Sequence, residues 1–149
     1  MRTIIGVIGD SDPAPETAAL AEEAGAEIAR AGAVLVCGGL GGVMEAAARG
    51  AKGAGGLTVG VLPSYDAHSA NAFIDIPIVT GMGHARNVVI AATAHALIAM
   101  AGAYGTLSEI AIGLKLGKRV VSLGRDESPA GVVAAPSARE AVWMALGDS

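Results

Sequence analysis

The sequence predicts an α/β fold, a parallel sheet with helices on both of its faces. Two observations predict it. Runs rich in β-branched residues alternate along the chain with alanine-rich stretches. The runs themselves, Val34-Leu35-Val36 and Leu97-Ile98-Ala99 among them, do not alternate apolar with polar residues. Both faces of such strands must be covered, and a parallel sheet between two helix layers covers them. With right-handed crossovers the arrangement is Rossmann-like and doubly wound, expected as a single domain over residues 1–149.

Each element follows from local signals. Thr3 to Ile8 reads as a strand. Glu16 to Ala31 reads as a helix, approached through Pro13 and Pro15 and closed by Gly32. Ala33 to Cys37 is a second strand and Gly42 to Ala51 a second helix. Leu57 to Leu62 is a third strand, followed by a polar loop from Pro63 to Ala72. Phe73 to Val79 is extended but carries Pro77, which marks an edge or irregular strand. Gly83 to Ala94 reads as a helix, Ala96 to Met100 as a strand, and Thr106 to Leu116 as a helix stopped by Gly117. Arg119 to Leu123 is the last expected strand, and Arg125 to Pro136 is expected as a loop. Ser137 to Leu146 closes the chain as a helix, with Ser137-x-x-Glu140 as its capping box.

Composition limits the function classes. A chain of 149 residues is long enough to bury a core without disulfide or metal staples. Its 52% hydrophobic and 16% charged residues exclude a disordered chain. Ten basic against 14 acidic residues give a net charge of −4, which argues against a nucleic-acid partner. The one cysteine, Cys37, lies in an apolar run and reads as an inert core residue. Met1 to Gly9 is too short for a signal peptide or a membrane span, and the Val88 to Ala103 stretch is interrupted by His95 and Gly102. The expectation is a cytoplasmic protein with no membrane partner.

In sheets of this kind ligands bind beyond the carboxyl ends of the strands, near the reversal of strand order. Four glycine-rich loops are expected to gather there. The first carries Gly9 and Ser11, between Asp10 and Asp12. The second is Gly38-Gly39-Leu40-Gly41-Gly42. The third runs Thr80-Gly81-Met82-Gly83-His84-Ala85-Arg86-Asn87, and the fourth Ala101-Gly102-Ala103-Tyr104-Gly105-Thr106. Glycine admits close backbone approach, and helix N-termini offer free N–H groups and a positive dipole end. The expected ligand is therefore a phosphorylated small molecule, with hydroxyls from Ser11 and Thr106 added to the amides. The dinucleotide fingerprint is missing, because Gly39-x-Gly41 is followed by Met44 and Gly81-x-Gly83 by Arg86. No Gly-Lys-Ser/Thr of a P-loop occurs either.

Single residues admit two readings. A cation in a first helical turn opposes the helix dipole. Arg86 is then either a surface residue paired to a carboxylate or the partner of an anionic ligand, and the planar guanidinium favours the second. Glu109 closes the capping box Thr106-x-x-Glu109, or it faces the crevice to bind sugar hydroxyls or position a water. His84 either touches ligand or is solvated. His95 reads as a satisfied core histidine, and His68 sits in the polar loop near Tyr65 and Asp66. Asp10 and Asp12 read as turn caps. Three scattered histidines and one cysteine make no metal set.

These loops resemble those of the LOG-like proteins. Val36 to Ala46 is similar to their first glycine motif, Arg86 matches the arginine of their motif, and Gly102 to Glu109 resembles Gly-Gly-x-Gly-Thr-x-x-Glu. Thr80 to Asn87 matches the Thr-Gly-Met-Gly-x-Ala-Arg-Asn stretch of a subgroup, the short bacterial relatives of the molybdenum-cofactor carrier protein. The resemblance runs from Ile4 to Leu146. It implies either a carrier that binds a molybdopterin-type cofactor as cargo, or a hydrolase that cleaves the N-glycosidic bond of nucleoside 5'-monophosphates, with Arg86 and Glu109 as catalytic residues. Some relatives are labelled lysine decarboxylases. A pyridoxal enzyme needs a Schiff-base lysine, and Lys52, Lys115 and Lys118 all lie outside the gathered loops. Ala101 and Ala103 stand where the resemblance expects glycines, and a methyl at Ala103 is expected either to block a positive φ or to narrow the approach to phosphate. A homo-oligomer is expected, with Val88 to Ala94 as its contact face, and base specificity is expected in Ser64 to Ala72.

Overall fold

A computed structural model describes residues 1–147; the last two residues of the expected 1–149 domain lie outside it. Seven parallel strands form one sheet: β1 (Ile4–Ile8), β2 (Val34–Cys37), β3 (Thr58–Leu62), β4 (Ile76–Val79), β5 (Ala96–Ala99), β6 (Arg119–Leu123) and β7 (Val133–Ala135). Their spatial order is β4-β3-β2-β1-β5-β6-β7. The chain builds outward from β1 to β4, then returns to lay β5 against the other side of β1. That reversal places the crevice between the β1 and β5 ends.

Five helices flank the sheet: α1 (Pro15–Arg30), α2 (Val43–Gly53), α3 (Arg86–Thr93), α4 (Tyr104–Lys115) and α5 (Ala138–Ala145). One core layer joins α1, α2 and α5 to the sheet through Ile5, Val7, Ile28, Leu35 and Ile98. The opposite layer joins α3 and α4 to it through Ile8, Val36, Ile90, Leu97 and Ile110. The central strands β2 and β5 are buried throughout, which is why their residues do not alternate.

Small residues set the helix spacing. α1 and α2 touch at Gly25 and Gly50, where a Cβ would collide with the carbonyl of Ala47 or of Glu22. The alanine-rich sequence thus lets backbones meet rather than side chains.

The structure corrects the element reading in several places. β7 lies inside the stretch expected as loop, paired with Val121 to Leu123. It is a short, mostly exposed edge strand and carries little local signal. The helix expected from Gly83 begins as a 3-10 turn over Gly83–Ala85 and becomes α-helical at Arg86. α4 starts at Tyr104, two residues before the expected Thr106. His95 is exposed rather than in the core, although its Nδ1 accepts the Ile4 N–H at 2.9 Å. β4 is the expected edge strand, and Pro77 sits opposite Gly60. Ser137 caps α5 by accepting the Glu140 N–H at 3.2 Å. Among the described residues no helix is long and apolar enough to cross a membrane.

Candidate functional site

A cavity of about 210 Å³ opens at the carboxyl ends of the central strands. Val7 and Ile8, at the end of β1, form part of its floor, and Gly9, Asp10 and Ser11 continue up its wall. Gly38 and Met44 line it from the second loop and the first turn of α2, and His84, Arg86 and Asn87 from the third. Ala103, Gly105, Thr106 and Glu109 complete it from α4.

The Asp10 backbone ties the loops together. Its N–H donates to the Ala101 carbonyl at 2.8 Å, and its carbonyl accepts the Val43 N–H at 2.9 Å. Gly42 has φ of 72°, and a side chain there would strike Asp10 and Ser11. Only glycine lets the second loop turn so close beneath the first. Gly38 is bare for a different reason. A Cβ there would lie 2.7 Å from Arg86 Nη2 and 2.5 Å from Met44 Sδ. The missing side chain is the space that the guanidinium occupies.

Arg86 is 9% exposed and Glu109 8%. Arg86 Nη1 donates to the Asn87 Oδ1, while its buried Nε has no partner. Asn87 Nδ2 reaches Ser108 Oγ at 3.5 Å, and Ser108 Oγ donates to the Gly105 carbonyl at 2.7 Å. The Glu109 carboxylate makes no hydrogen bond within the described residues. It also does not close on Arg86: the Arg and Lys ion pairs within 4.0 Å among those residues are Arg30–Glu27, Arg49–Glu22, Arg49–Glu45 and Lys52–Asp75. Burial pushes the Glu109 carboxyl up to about 7, and the nearby Arg86 charge only partly opposes it. Burial also weakens the hold of Arg86 on its proton, with the charges of Glu109 and Cys37 acting the other way. Cys37 is buried, and its thiol is pushed up to about 11, as an inert core residue requires.

The capping-box reading of Glu109 is thereby corrected. α4 has Ala103 at its N-cap with no side-chain cap. Thr106 lies within the first turn, with its hydroxyl where a Gly102 side chain would stand. Glu109 is left free to face the crevice. The bland reading of Arg86, a surface arginine paired to a carboxylate, fails as well: the residue is buried and makes no ion pair with a carboxylate among the described residues. Ala103 has φ of −104°, and no residue other than glycine adopts a positive φ among those described. The backbone there holds no positive φ for a methyl to block, and Ala103 stands among the residues that line the cavity.

Of the sequence-predicted residues, Gly9, Ser11, Gly38, Arg86, Asn87, Ala103, Gly105, Thr106 and Glu109 line the cavity. Gly39, Gly41, Thr80, Gly81, Met82, Gly83, Gly102 and Tyr104 do not. The amides of Gly81, Met82 and Gly83 are already bound to Ser64 O, Thr80 Oγ1 and Pro63 O. Thr80 Oγ1 donates to the Leu62 carbonyl at 2.6 Å. Gly39 O accepts the Asn71 N–H, and Tyr104 is 87% exposed. None of residues 64–72 lines the cavity.

Val7, Ile8 and Met44 are lining residues that sequence reasoning missed. The first two end β1, where the strand-end rule alone could have found them. Met44 stands where a dinucleotide fingerprint would need glycine. Asp10 lines the cavity too, and its Oδ1 also accepts the Asp12 N–H at 3.1 Å. Lys52 pairs with Asp75, and Lys118 donates to the Ala92 and Ala94 carbonyls, away from the cavity. Among the described residues no three His, Cys, Asp or Glu side chains gather as metal ligands.

Residues 2–145 match the model of the SLOG cluster4 family. The chain belongs to that family. It is 38% identical to the molybdenum cofactor binding protein of Rippkaea orientalis, with a TM-score of 0.93 over 99% of this chain and 97% of that one. The molybdenum cofactor carrier protein of Chlamydomonas reinhardtii is 37% identical over 99% of this chain and 100% of its own, with a TM-score of 0.86. An uncharacterized protein of Archaeoglobus fulgidus is 56% identical over 80% of this chain and 78% of its own length. The likeness to carrier proteins read from the glycine motifs is borne out, as is the Rossmann-like sheet.

Proposed function

We propose that this member of the SLOG cluster4 family binds a phosphorylated small molecule in the cavity and holds it as cargo, with a molybdopterin-type cofactor as the leading candidate. The observation that carries the reading is the cavity at the strand carboxyl ends, walled by four chain segments, with the charged Arg86 among its lining residues. A guanidinium in such a wall favours an anionic ligand. The likeness to a cofactor-binding and a carrier protein over nearly the whole chain supports the same ligand class. The amides at Ser11 and in the first turn of α4, with the Ser11 and Thr106 hydroxyls, are the proposed anion donors. Incubation with a molybdopterin-type cofactor, followed by gel filtration, should leave cofactor with the wild-type protein and much less with Arg86→Ala. Free cofactor in both cases sinks the reading.

A second reading rests on Glu109. A carboxyl poised near 7 beside a buried arginine can serve as a proton carrier. Under this reading the protein hydrolyses nucleoside 5'-monophosphates. Release of free base from AMP, abolished in Glu109→Gln, is its test. Self-association belongs to the proposal too: Val88 on α3 is 45% exposed, and light scattering in solution measures the mass.

A further inference from the structure

We propose that Asn71, which lies outside the cavity, is a positioning residue for Arg86 and holds that wall of the cavity in shape. The inference rests on the binding reading above and says what sets the geometry of the same site. The segment from Pro63 to Ala72 lines no part of the cavity. It nevertheless braces two of the four loops around it. Asn71 holds the second loop: its N–H and its Nδ2 donate to the Gly39 carbonyl at 2.9 and 3.3 Å, and Nδ2 also donates to the Leu40 carbonyl at 2.9 Å. Pro63 and Ser64 hold the third, where their carbonyls accept the Gly83 and Gly81 N–H groups at 2.9 and 3.0 Å.

Arg86 sits between the two braced loops. It belongs to the third, and its Nη2 lies against Gly38 of the second, where a Cβ would stand 2.7 Å from it. Gly38 is one peptide bond from Gly39, whose carbonyl takes two of the Asn71 hydrogen bonds.

The second loop needs such a clamp. Glycine stands at positions 38, 39, 41 and 42, so its peptide planes turn over at little steric cost. Among the described residues, Asn71 supplies all the hydrogen bonds that the Gly39 and Leu40 carbonyls accept. The Asn71 amide is itself fixed, because its Oδ1 accepts the Phe73 N–H at 3.0 Å. Without the clamp the Gly39 and Leu40 peptides are free to rotate, Gly38 moves with them, and the guanidinium loses the surface it rests on.

Proton exchange at Arg86 Nε, followed by NMR on the full chain, tests this without any ligand. Nε is buried, so its exchange in the wild type is slow. Asn71→Ala should speed it at least about tenfold relative to the amide of Ile98, a fully buried β5 residue that reports opening of the whole fold. Ser64→Ala removes a hydroxyl whose hydrogen bonds all lie within the brace, and it should leave the ratio unchanged. Retention of a molybdopterin-type cofactor through gel filtration should fall in Asn71→Ala. Equal acceleration of Arg86 and Ile98 reduces Asn71 to ordinary fold stability and overturns the proposal, as does the same gain in Ser64→Ala. So does exchange of the wild-type Asn71 side-chain protons as fast as in an exposed amide, a measurement that decides even where the variant does not fold. Where the wild type retains cofactor, equal retention by Asn71→Ala overturns it too. A wild type that retains none sinks the binding reading instead, and the exchange ratio still decides the role of Asn71.

Discussion

Replacing Glu109 by glutamine should change how stability depends on pH. The side chain keeps its volume and loses its proton equilibrium. In the folded protein the Glu109 carboxyl titrates near 7, against an ordinary value of 4.5. Below about pH 4.5 the group is protonated folded and unfolded, and it costs nothing. As pH rises the unfolded chain releases this proton first, so stability falls until the folded group also ionises. Above pH 7 the folded state carries the full cost of a buried carboxylate, about 3 kcal/mol at ~1.4 kcal/mol per tenfold. Other groups titrate alike in both proteins and cancel in the difference. Urea unfolding of wild type and Glu109→Gln between pH 4.5 and 8.5 measures it. The variant should gain on the wild type by about 3 kcal/mol across that window. A flat difference would show that the carboxyl is not buried as described. A difference of opposite sign would refute the reasoning outright, because it requires Arg86 to close on Glu109 as an ion pair and hold the carboxyl low. The cavity floor would then already be satisfied.

Three further outcomes are expected. Gly25→Ala should destabilise by roughly 1–3 kcal/mol or more, since the new methyl meets the Ala47 carbonyl. Gly53→Ala, also helical and with nothing within 4 Å, should instead stabilise by about 0.5–1 kcal/mol; thermal melts separate the pair, and equal shifts would count against the close approach of α1 and α2. Ser137→Ala removes the α5 cap and should cost about 1 kcal/mol in urea unfolding, an effect absent if the 3.2 Å bond to Glu140 does not form in solution. Cys37 should resist iodoacetamide at pH 8 in the native protein and react once unfolded, because burial holds its thiol near 11; rapid native labelling would place it at the surface.

Much of the fold was legible because it rests on strong local signals. The unbroken apolar runs of β2 and β5 are strands covered on both sides, and Ser137-x-x-Glu140 does cap its helix. β7 was not legible, because three mostly exposed residues at a sheet edge bury too little to leave a pattern. The gathering of the loops followed from the strand-end rule, but which of their atoms face the cavity did not. Gly81, Met82 and Gly83 look like an anion loop in sequence, yet their amides are taken by Ser64, Thr80 and Pro63. A sequence shows which backbone groups are available near a strand end and not which are already bound.

Glu109 shows where local reasoning gives way. Thr106-x-x-Glu109 satisfies the capping-box pattern, and a helix starting one residue later would use it. The chain starts α4 at Tyr104 instead, which puts Thr106 inside the helix with its hydroxyl over Gly102. The carboxylate is then released from the backbone and buried near an arginine with which it forms no ion pair within 4.0 Å. That arginine has room only because position 38 carries no side chain, 48 residues earlier in the chain. Three positions that share no helix or strand therefore define one polar pair, and no window of sequence contains all three. The pair has a cost that the fold alone does not relieve: an unpartnered guanidinium nitrogen and a carboxyl forced upward by burial. Apolar side chains at positions 86 and 109 would be the more stable solution for a protein that bound nothing there. Under the proposed function, the charge of this pair is what the cavity offers its ligand.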